Sequence, residues 1–231
     1  MPNLLDRVSR VTLDLLFPPQ CAVCGGGGSL LCDDCATALP AADGARCARC
    51  WMPHRGTGEC RHCLDAPPAF ASLRAAYIME GGARRLAHEL KYEGLTSLAE
   101  PMARLIAPHV DAATVDLIVP VPLHPRRERS RGYNQAAELA KRLATLMDRT
   151  CDTRAARRIR DTAPLGKTMH REERRAIVAG AFEARAERVD GRRVLLVDDV
   201  VTTGATLDSC ARALVDAGAI GVRCAVWARA D

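Results

Sequence analysis

The sequence predicts an α/β protein in which a parallel-sheet domain follows a small cysteine-stapled module. Three observations point there. From residue 69 onward, apolar runs of strand length alternate with helical stripes. Eight cysteines fall between Cys21 and Cys63 in four Cys-x-x-Cys pairs. One apolar run ends in two adjacent aspartates and passes through a Thr/Gly turn into a helix. The 231 residues suit one full domain plus a smaller unit, and 48% apolar residues supply a core.

Residues 3–16 place Leu4, Leu5, Val8, Val11, Thr12, Leu15 and Leu16 on one helical stripe, which Phe17-Pro18-Pro19 ends. This predicts an amphipathic helix packed on its own protein, because its polar face has too few basic residues for a membrane surface. The expected organisation is this helix over 1–19, the cysteine module over 20–68 and the sheet domain over 69–231, with Pro67-Pro68 at the second boundary. In the third unit Ser72–Ile78 reads as a strand. Gly81-Gly82 opens a helix around Ala83–Tyr92, and a second helix runs over about Ser97–Ile106. Asp116–Val121 reads as a buried strand, Pro122–Arg131 as a loop, and Asn134–Met147 as a helix with an apolar stripe. Residues 150–176 are polar and basic, and Val178–Glu183 reads as a short strand. Val194–Val197 is a buried strand, Thr206–Ala217 a helix and Gly221–Trp227 a further strand. Strands that alternate with helices imply βαβ units and a parallel sheet.

Composition excludes several classes. No apolar run reaches the ~20 residues of a membrane helix. Asp6, Arg7, Arg10 and Asp14 interrupt any signal-peptide core, so the chain is expected to stay in the cytoplasm, without membrane insertion. Residues 1–68 carry six Lys/Arg against seven Asp/Glu, while the whole chain is +5, which leaves +6 on residues 69–231. That half is rich in arginine, whose planar fork suits phosphate oxygens.

In a reducing compartment, tandem Cys-x-x-Cys pairs read as metal thiolates rather than disulfides. Each pair presents two thiolates from a tight turn, and two pairs close a tetrahedral site. Eight thiolates suit two structural zinc ions. Sequential pairing gives Cys21, Cys24, Cys32 and Cys35 at one site and Cys47, Cys50, Cys60 and Cys63 at the other. An interleaved cross-brace is the competing arrangement; the short gaps Gly25–Leu31 and Trp51–Glu59 favour the sequential one. His54 and His62 read as bystanders, and Cys151, Cys210 and Cys224 as ordinary thiols.

The most informative segment runs from Val194 to Thr206. Asp198 and Asp199 sit at the C-terminal end of an apolar strand, where ligands bind in open α/β sheets. The two acids can accept hydrogen bonds from neighbouring sugar hydroxyls. Thr202, Thr203, Gly204, Ala205 and Thr206 supply hydroxyls and helix-start N–H groups suited to a phosphate. Together they describe a ribose-5-phosphate site. The chain has neither G-x-x-x-x-G-K-[ST] nor G-x-G-x-x-G, which excludes P-loop and dinucleotide readings. The segment Pro122–Arg131 holds Arg126, Arg127, Arg129 and Arg131 against Glu128 and leaves the same sheet edge.

The segment Val194–Thr206 resembles the phosphoribosyl-pyrophosphate (PRPP) signature of type I phosphoribosyltransferases. With the cysteine pairs, Lys91-Tyr92-Glu93-Gly94, Val119-Pro-Val-Pro122 and Arg131-Gly-Tyr-Asn-Gln135, the chain resembles the ComF (ComF/GntX-like) family over nearly its whole length. The resemblance implies a double zinc ribbon before a type I phosphoribosyltransferase-like domain. It implies PRPP and Mg2+ at the sheet edge, with the two acids on the ribose, the Thr/Gly turn on the 5-phosphate and the four arginines on pyrophosphate. Residues 160–175 resemble the loop that closes over such sites, with Lys167, Arg171, Arg174 and Arg175 as anion contacts. It also implies a role in natural competence and DNA uptake, with single-stranded DNA and a DNA-uptake ATPase as partners. A non-catalytic, DNA-handling or PRPP-sensing protein is the alternative. Aromatics at 3% leave little for a base-stacking platform.

Overall fold

The computed structural model describes residues 18–162 and 171–230. The helix expected over 3–16, and Lys167 with the rest of 163–170, lie outside the described residues; so do the side chains of Arg171, Arg174 and Arg175.

The cysteine module is held by turns. Cys21 N–H donates to the Gly26 carbonyl and Gly25 N–H to the Cys21 carbonyl, which folds the first knuckle. Its helices α1 (Asp33–Thr37) and α2 (Arg61–Asp65) are each entered from a cysteine, Cys32 and Cys60. Trp51 is half-buried against the sheet domain, with the Arg74 guanidinium 4.4 Å from its ring centre.

The sheet domain runs β1 (Ser72–Ile78), α3 (Gly81–Tyr92), α4 (Ala99–Ile106), β2 (Leu117–Pro120), α5 (Pro125–Arg131), α6 (Gln135–Met147) and β3 (Thr150–Cys151). It continues through β4 (Ala156–Arg158), α7 (Arg171–Val178), β5 (Phe182–Ala184), α8 (Ala186–Val189), β6 (Arg193–Val201), α9 (Ala205–Asp216) and β7 (Gly221–Arg229). Five strands form one parallel sheet in the order β1-β7-β6-β2-β3. Strands β4 and β5 pair antiparallel in a separate ribbon.

Two sequence expectations are corrected. Pro122–Arg131 is not wholly loop, because Pro125–Arg131 is helical. The His124 side chain caps it, Pro125 fits its first turn, and Gly132 at φ +86° ends it. Val178–Glu183 is not one strand. Val178 closes α7, a turn follows in which Ala181 N–H donates to the Val178 carbonyl, and β5 begins at Phe182. The polar stretch 150–176 contains β3, β4 and the start of α7.

Strand alternation divides the core between two faces. Ile118, Leu195, Val197, Ala225 and Trp227 meet α3, α4 and α6 on one face. Leu117, Val119, Val194, Leu196 and Val226 meet α9 and the β4–β5 ribbon on the other. Each buried Val, Leu or Ile side chain among them contributes about 1.5–3 kcal/mol over exposure. Trp227 is fully buried and its indole N–H donates to the Ala83 carbonyl at 2.9 Å, which fixes α3 over β7.

β1 is at one end of the sheet, and the cysteine module runs along its outer side. Ala42 N–H donates to Ala76, Ile78 N–H to Pro40 and Leu73 N–H to Arg49, with Ala41 bridged antiparallel to Tyr77. Among the described residues, no helix is long and apolar enough to cross a membrane.

Candidate functional site

Strand β6 is central, paired with β2 on one side and β7 on the other. Its buried run Val194–Val197 carries Asp198 and Asp199 to the C-terminal edge. Pro120 is in register with Val197, so the chain leaving β2 emerges beside the two acids. Alternation sends the two side chains to opposite faces of the sheet.

Asp199 is 3% exposed. Its Oδ2 is 2.5 Å from Lys91 Nζ, at the end of α3. Its Oδ1 accepts from Gln135 Nε2 at 3.3 Å, at the start of α6. Arg131 in turn donates to Gln135 Oε1. Burial would raise the Asp199 carboxyl, but the Lys91 ammonium holds it below the ordinary value. Burial would likewise lower Lys91, and the Asp199 charge raises it instead. Asp198 is half-buried and pushed well above the ordinary range, by burial first and then by the negative charge of Asp199. The Asp199 backbone N–H donates to Asp198 Oδ1 at 2.9 Å.

The Arg131–Gln135 segment is fixed at several points. Asn134 caps α6 through the Ala136 N–H and donates to the Val121 carbonyl at 3.0 Å. Tyr133 donates to the Leu90 carbonyl. Lys91–Gly94 and the end of α5 thus face each other across a cavity of about 520 Å3, lined by Lys91, Tyr92, Arg127, Ser130, Arg131 and Tyr133. Tyr92 is 64% exposed, with the Arg131 guanidinium 5.4 Å from its ring centre.

The structure divides the four candidate arginines. Arg127 and Arg131, one helical turn apart, line this cavity, and Arg127 also donates to the Thr162 carbonyl at 2.5 Å. Arg126 and Arg129 are exposed and do not line it.

After β6 the chain turns through Thr202, Thr203 and Gly204 into α9. Gly204 precedes the helix at φ +82°, a conformation that costs an L side chain energy. Thr203 Oγ1 accepts from the Ala205 N–H at 3.4 Å. Thr202, Thr203, Gly204, Ala205 and Thr206 surround a recess of about 30 Å3 that also touches Asp198. Helix-start N–H groups and threonine hydroxyls there supply donors for an anion, and the acids supply acceptors.

The eight module cysteines form two sequential clusters: Cys21, Cys24, Cys32 and Cys35, and Cys47, Cys50, Cys60 and Cys63. Within each, all four sulfurs lie within 4.8 Å of one another. Zn–S bonds of about 2.3 Å give a tetrahedron with S–S edges of about 3.8 Å. The observed Cys24–Cys32, Cys50–Cys60 and Cys47–Cys63 sulfur separations are 3.8, 3.7 and 3.9 Å. The donor sets therefore fit structural zinc. Burial opposes ionisation of Cys47, but nearby backbone N–H groups bring its thiol down to about 6. Burial and the neighbouring Cys50 push Cys63 up. A divalent cation supplies the charge that lets all four ionise together. Neither His54 nor His62 belongs to a cluster. Burial raises the Cys151 thiol to about 11.

Sequence reasoning missed Lys91, Gln135 and Arg229 as site residues. Lys91 and Gln135 lay in segments already singled out. Arg229 ends the apolar run of β7, and a charge at that position was the available signal. It is 1% exposed, donates to the Cys50 carbonyl at 2.9 Å and the Thr202 carbonyl at 2.7 Å, and contacts Met52 Sδ.

Comparison with known proteins agrees with this architecture. Residues 94–231 match the phosphoribosyl transferase domain model, and residues 12–64 match the double zinc ribbon domain. DNA utilization protein YhgH of Escherichia coli (strain K12) is 32% identical over 205 residues, 85% of this chain and 88% of that protein. Competence protein F of Haemophilus influenzae is 28% identical over 178 residues, covering 73% and 76%. Competence protein ComFC of Bacillus subtilis (strain 168) is 24% identical over 197 residues, covering 81% and 79%. The chain belongs to the phosphoribosyl transferase domain family, as a ComF-family member with an N-terminal double zinc ribbon.

Proposed function

We propose that this protein binds PRPP with Mg2+ at the C-terminal edge of its sheet and transfers the phosphoribosyl group to an acceptor, in the service of DNA uptake. The observation that carries the reading is the strand–turn–helix from Asp198 to Thr206, with both acids and the glycine turn at one sheet edge. In this reading Asp198 and Asp199 serve the ribose hydroxyls, the former directly and the latter as the anchor of Lys91. Thr202–Thr206 cradle the 5-phosphate. Arg127 and Arg131, with Lys91, face the pyrophosphate across their shared cavity, while Arg126 and Arg129 add positive potential from outside. Pyrophosphate leaves the anomeric carbon through an oxocarbenium-like transition state, so positioning and charge stabilisation are the protein's main tasks. Bound with PRPP, Mg2+ would supply charge to offset that of the departing pyrophosphate.

The names of the relatives, DNA utilization and competence proteins, support DNA uptake as the process. The cytoplasm, where thiolates stay reduced, suits two zinc-bound clusters. The zinc ribbon then offers a docking face for a DNA-uptake ATPase.

One observation favours a second reading, a non-catalytic protein that handles single-stranded DNA or senses PRPP. A cavity of about 470 Å3 beside His124 is lined by Arg154, Arg157, Arg158 and Arg185. Binding of DNA phosphates there falls steeply with salt.

Calorimetric titration with PRPP and Mg2+ tests the first reading. Wild type is expected to bind, and the Asp198→Ala/Asp199→Ala variant to lose most of that heat; no binding by wild type would overturn the reading. PRPP consumption across a panel of amines and bases separates a transferase from a sensor.

A further inference from the structure

We infer that the second cysteine cluster and the Thr/Gly turn are coupled through Arg229, so that metal at Cys47, Cys50, Cys60 and Cys63 and a 5-phosphate ligand at the turn strengthen each other's binding. The inference rests on the PRPP reading above.

Arg229 is the last residue of β7, in register with Val201 at the end of β6. One terminal nitrogen of its guanidinium holds the Cys50 carbonyl and the other the Thr202 carbonyl. The guanidinium is planar and rigid, so these two carbonyls are held in one fixed relation. Cys50 belongs to the cluster, and Thr202 opens the turn whose next N–H groups line the anion recess.

Two further contacts close the same seam. Ala69 N–H donates to Asp208 Oδ1 at 2.7 Å, which ties the chain leaving the cluster to the first turn of α9. The gap between Cys50, Cys63, Phe70, Thr203 and Gly204 is only about 10 Å3, at or below the room one water needs. The first cluster packs elsewhere, on α3: Arg85 donates to the Val23 carbonyl at 3.1 Å, and Val23 and Leu39 abut Gly82.

Metal closes the knuckle that aims the Cys50 carbonyl at Arg229. When the knuckle opens, Arg229 loses the Cys50 carbonyl, and its hold on the Thr202 carbonyl loosens. The N–H groups after it then lose their common aim. Binding linkage is reciprocal, so a ligand that orders the turn must tighten the metal site by the same factor.

The test measures both directions on the full chain. Ribose 5-phosphate is the probe, because it lacks the metal-chelating pyrophosphate of PRPP. Zinc affinity is read by competition with a chelator. Saturating ribose 5-phosphate is expected to raise the zinc affinity of the Cys47, Cys50, Cys60 and Cys63 site about tenfold, within the usual range of coupling, and to leave that of the Cys21, Cys24, Cys32 and Cys35 site unchanged. Arg229→Lys is expected to keep both zinc ions, to bind the probe several-fold more weakly and to lose the coupling. If the protein binds Mg2+–PRPP but ribose 5-phosphate fails to bind or does not tighten the Cys47, Cys50, Cys60 and Cys63 site, this inference falls and the PRPP reading stands. If wild type binds neither, both fall. Should Arg229→Lys fail to fold, the wild-type competition decides alone.

Discussion

Lys91 Nζ and Asp199 Oδ2 stand 2.5 Å apart, at the junction of α3 with the end of β6. Because Asp199 is almost fully buried, its charge depends on that partner. Removing one member of a buried pair costs more than the pair contributes, since the other charge is left unpaired. Lys91→Met is expected to lower unfolding stability by about 3 kcal/mol. Lys91→Met/Asp199→Asn should recover part of that loss. Urea unfolding of the four members of the cycle measures it, and additive losses would refute the pairing.

Gly204→Ala isolates a backbone effect. A Cβ at this position would meet only Phe70 Cζ, at 3.9 Å, so space is not the constraint. The φ of +82° is, and it costs an alanine about 1–2 kcal/mol. The variant is expected to fold with a lowered melting temperature and weakened PRPP binding. Unchanged melting would show that the turn relaxes freely.

The sequential clusters predict a specific metal stoichiometry. Replacing Cys21, Cys24, Cys32 and Cys35 together with serine is expected to halve the zinc content, because Cys47, Cys50, Cys60 and Cys63 remain whole. An interleaved arrangement would lose all of it. Metal content per chain, measured by mass spectrometry, separates the two outcomes.

Arg193 grips Asp116 through its side-chain fork, at 2.6 and 2.9 Å, and through its backbone N–H at 2.9 Å. These bonds hold the Asp116 carboxyl well below its ordinary 3.8. A carboxyl depressed on folding stabilises the protein above its unfolded value and loses that contribution as pH falls toward the folded one. Stability should therefore drop below pH 3.8 partly through this residue. Asp116→Asn is expected to be less stable at neutral pH and to show a shallower acid limb in thermal unfolding; an unchanged limb would count against the pair.

What the sequence disclosed was what is local. A knuckle is four residues long, and Asp198–Thr206 is one continuous strand, turn and helix, so both could be read from spacing alone. The inward-facing Lys91, Gln135 and Arg229 depend on register between distant segments, which no window of sequence contains. Helix α5 was misread for another reason. It has no apolar stripe, because its residues face solvent and a polar cavity, and hydrophobic periodicity therefore gives no signal. Its end markers, Pro125 in the first turn and Gly132 beyond the last, were present and outweigh the missing stripe. The β4–β5 ribbon, three residues per strand, is too short to show alternation.

The module's course along β1 has a consequence for colloidal behaviour. A terminal strand with free N–H and C=O groups is a template on which other chains can pair. Here the hydrogen bonds from Ala42 to Ala76, from Ile78 to Pro40 and from Leu73 to Arg49 occupy that template, and the covering segment lies between the two cysteine clusters. Stripping the metal should uncover an apolar strand containing Leu73, Ala75 and Ala76. Light scattering is then expected to rise with protein concentration before the sheet domain itself unfolds. The ribbon, bonded along β1, thus denies neighbouring molecules a strand to pair with.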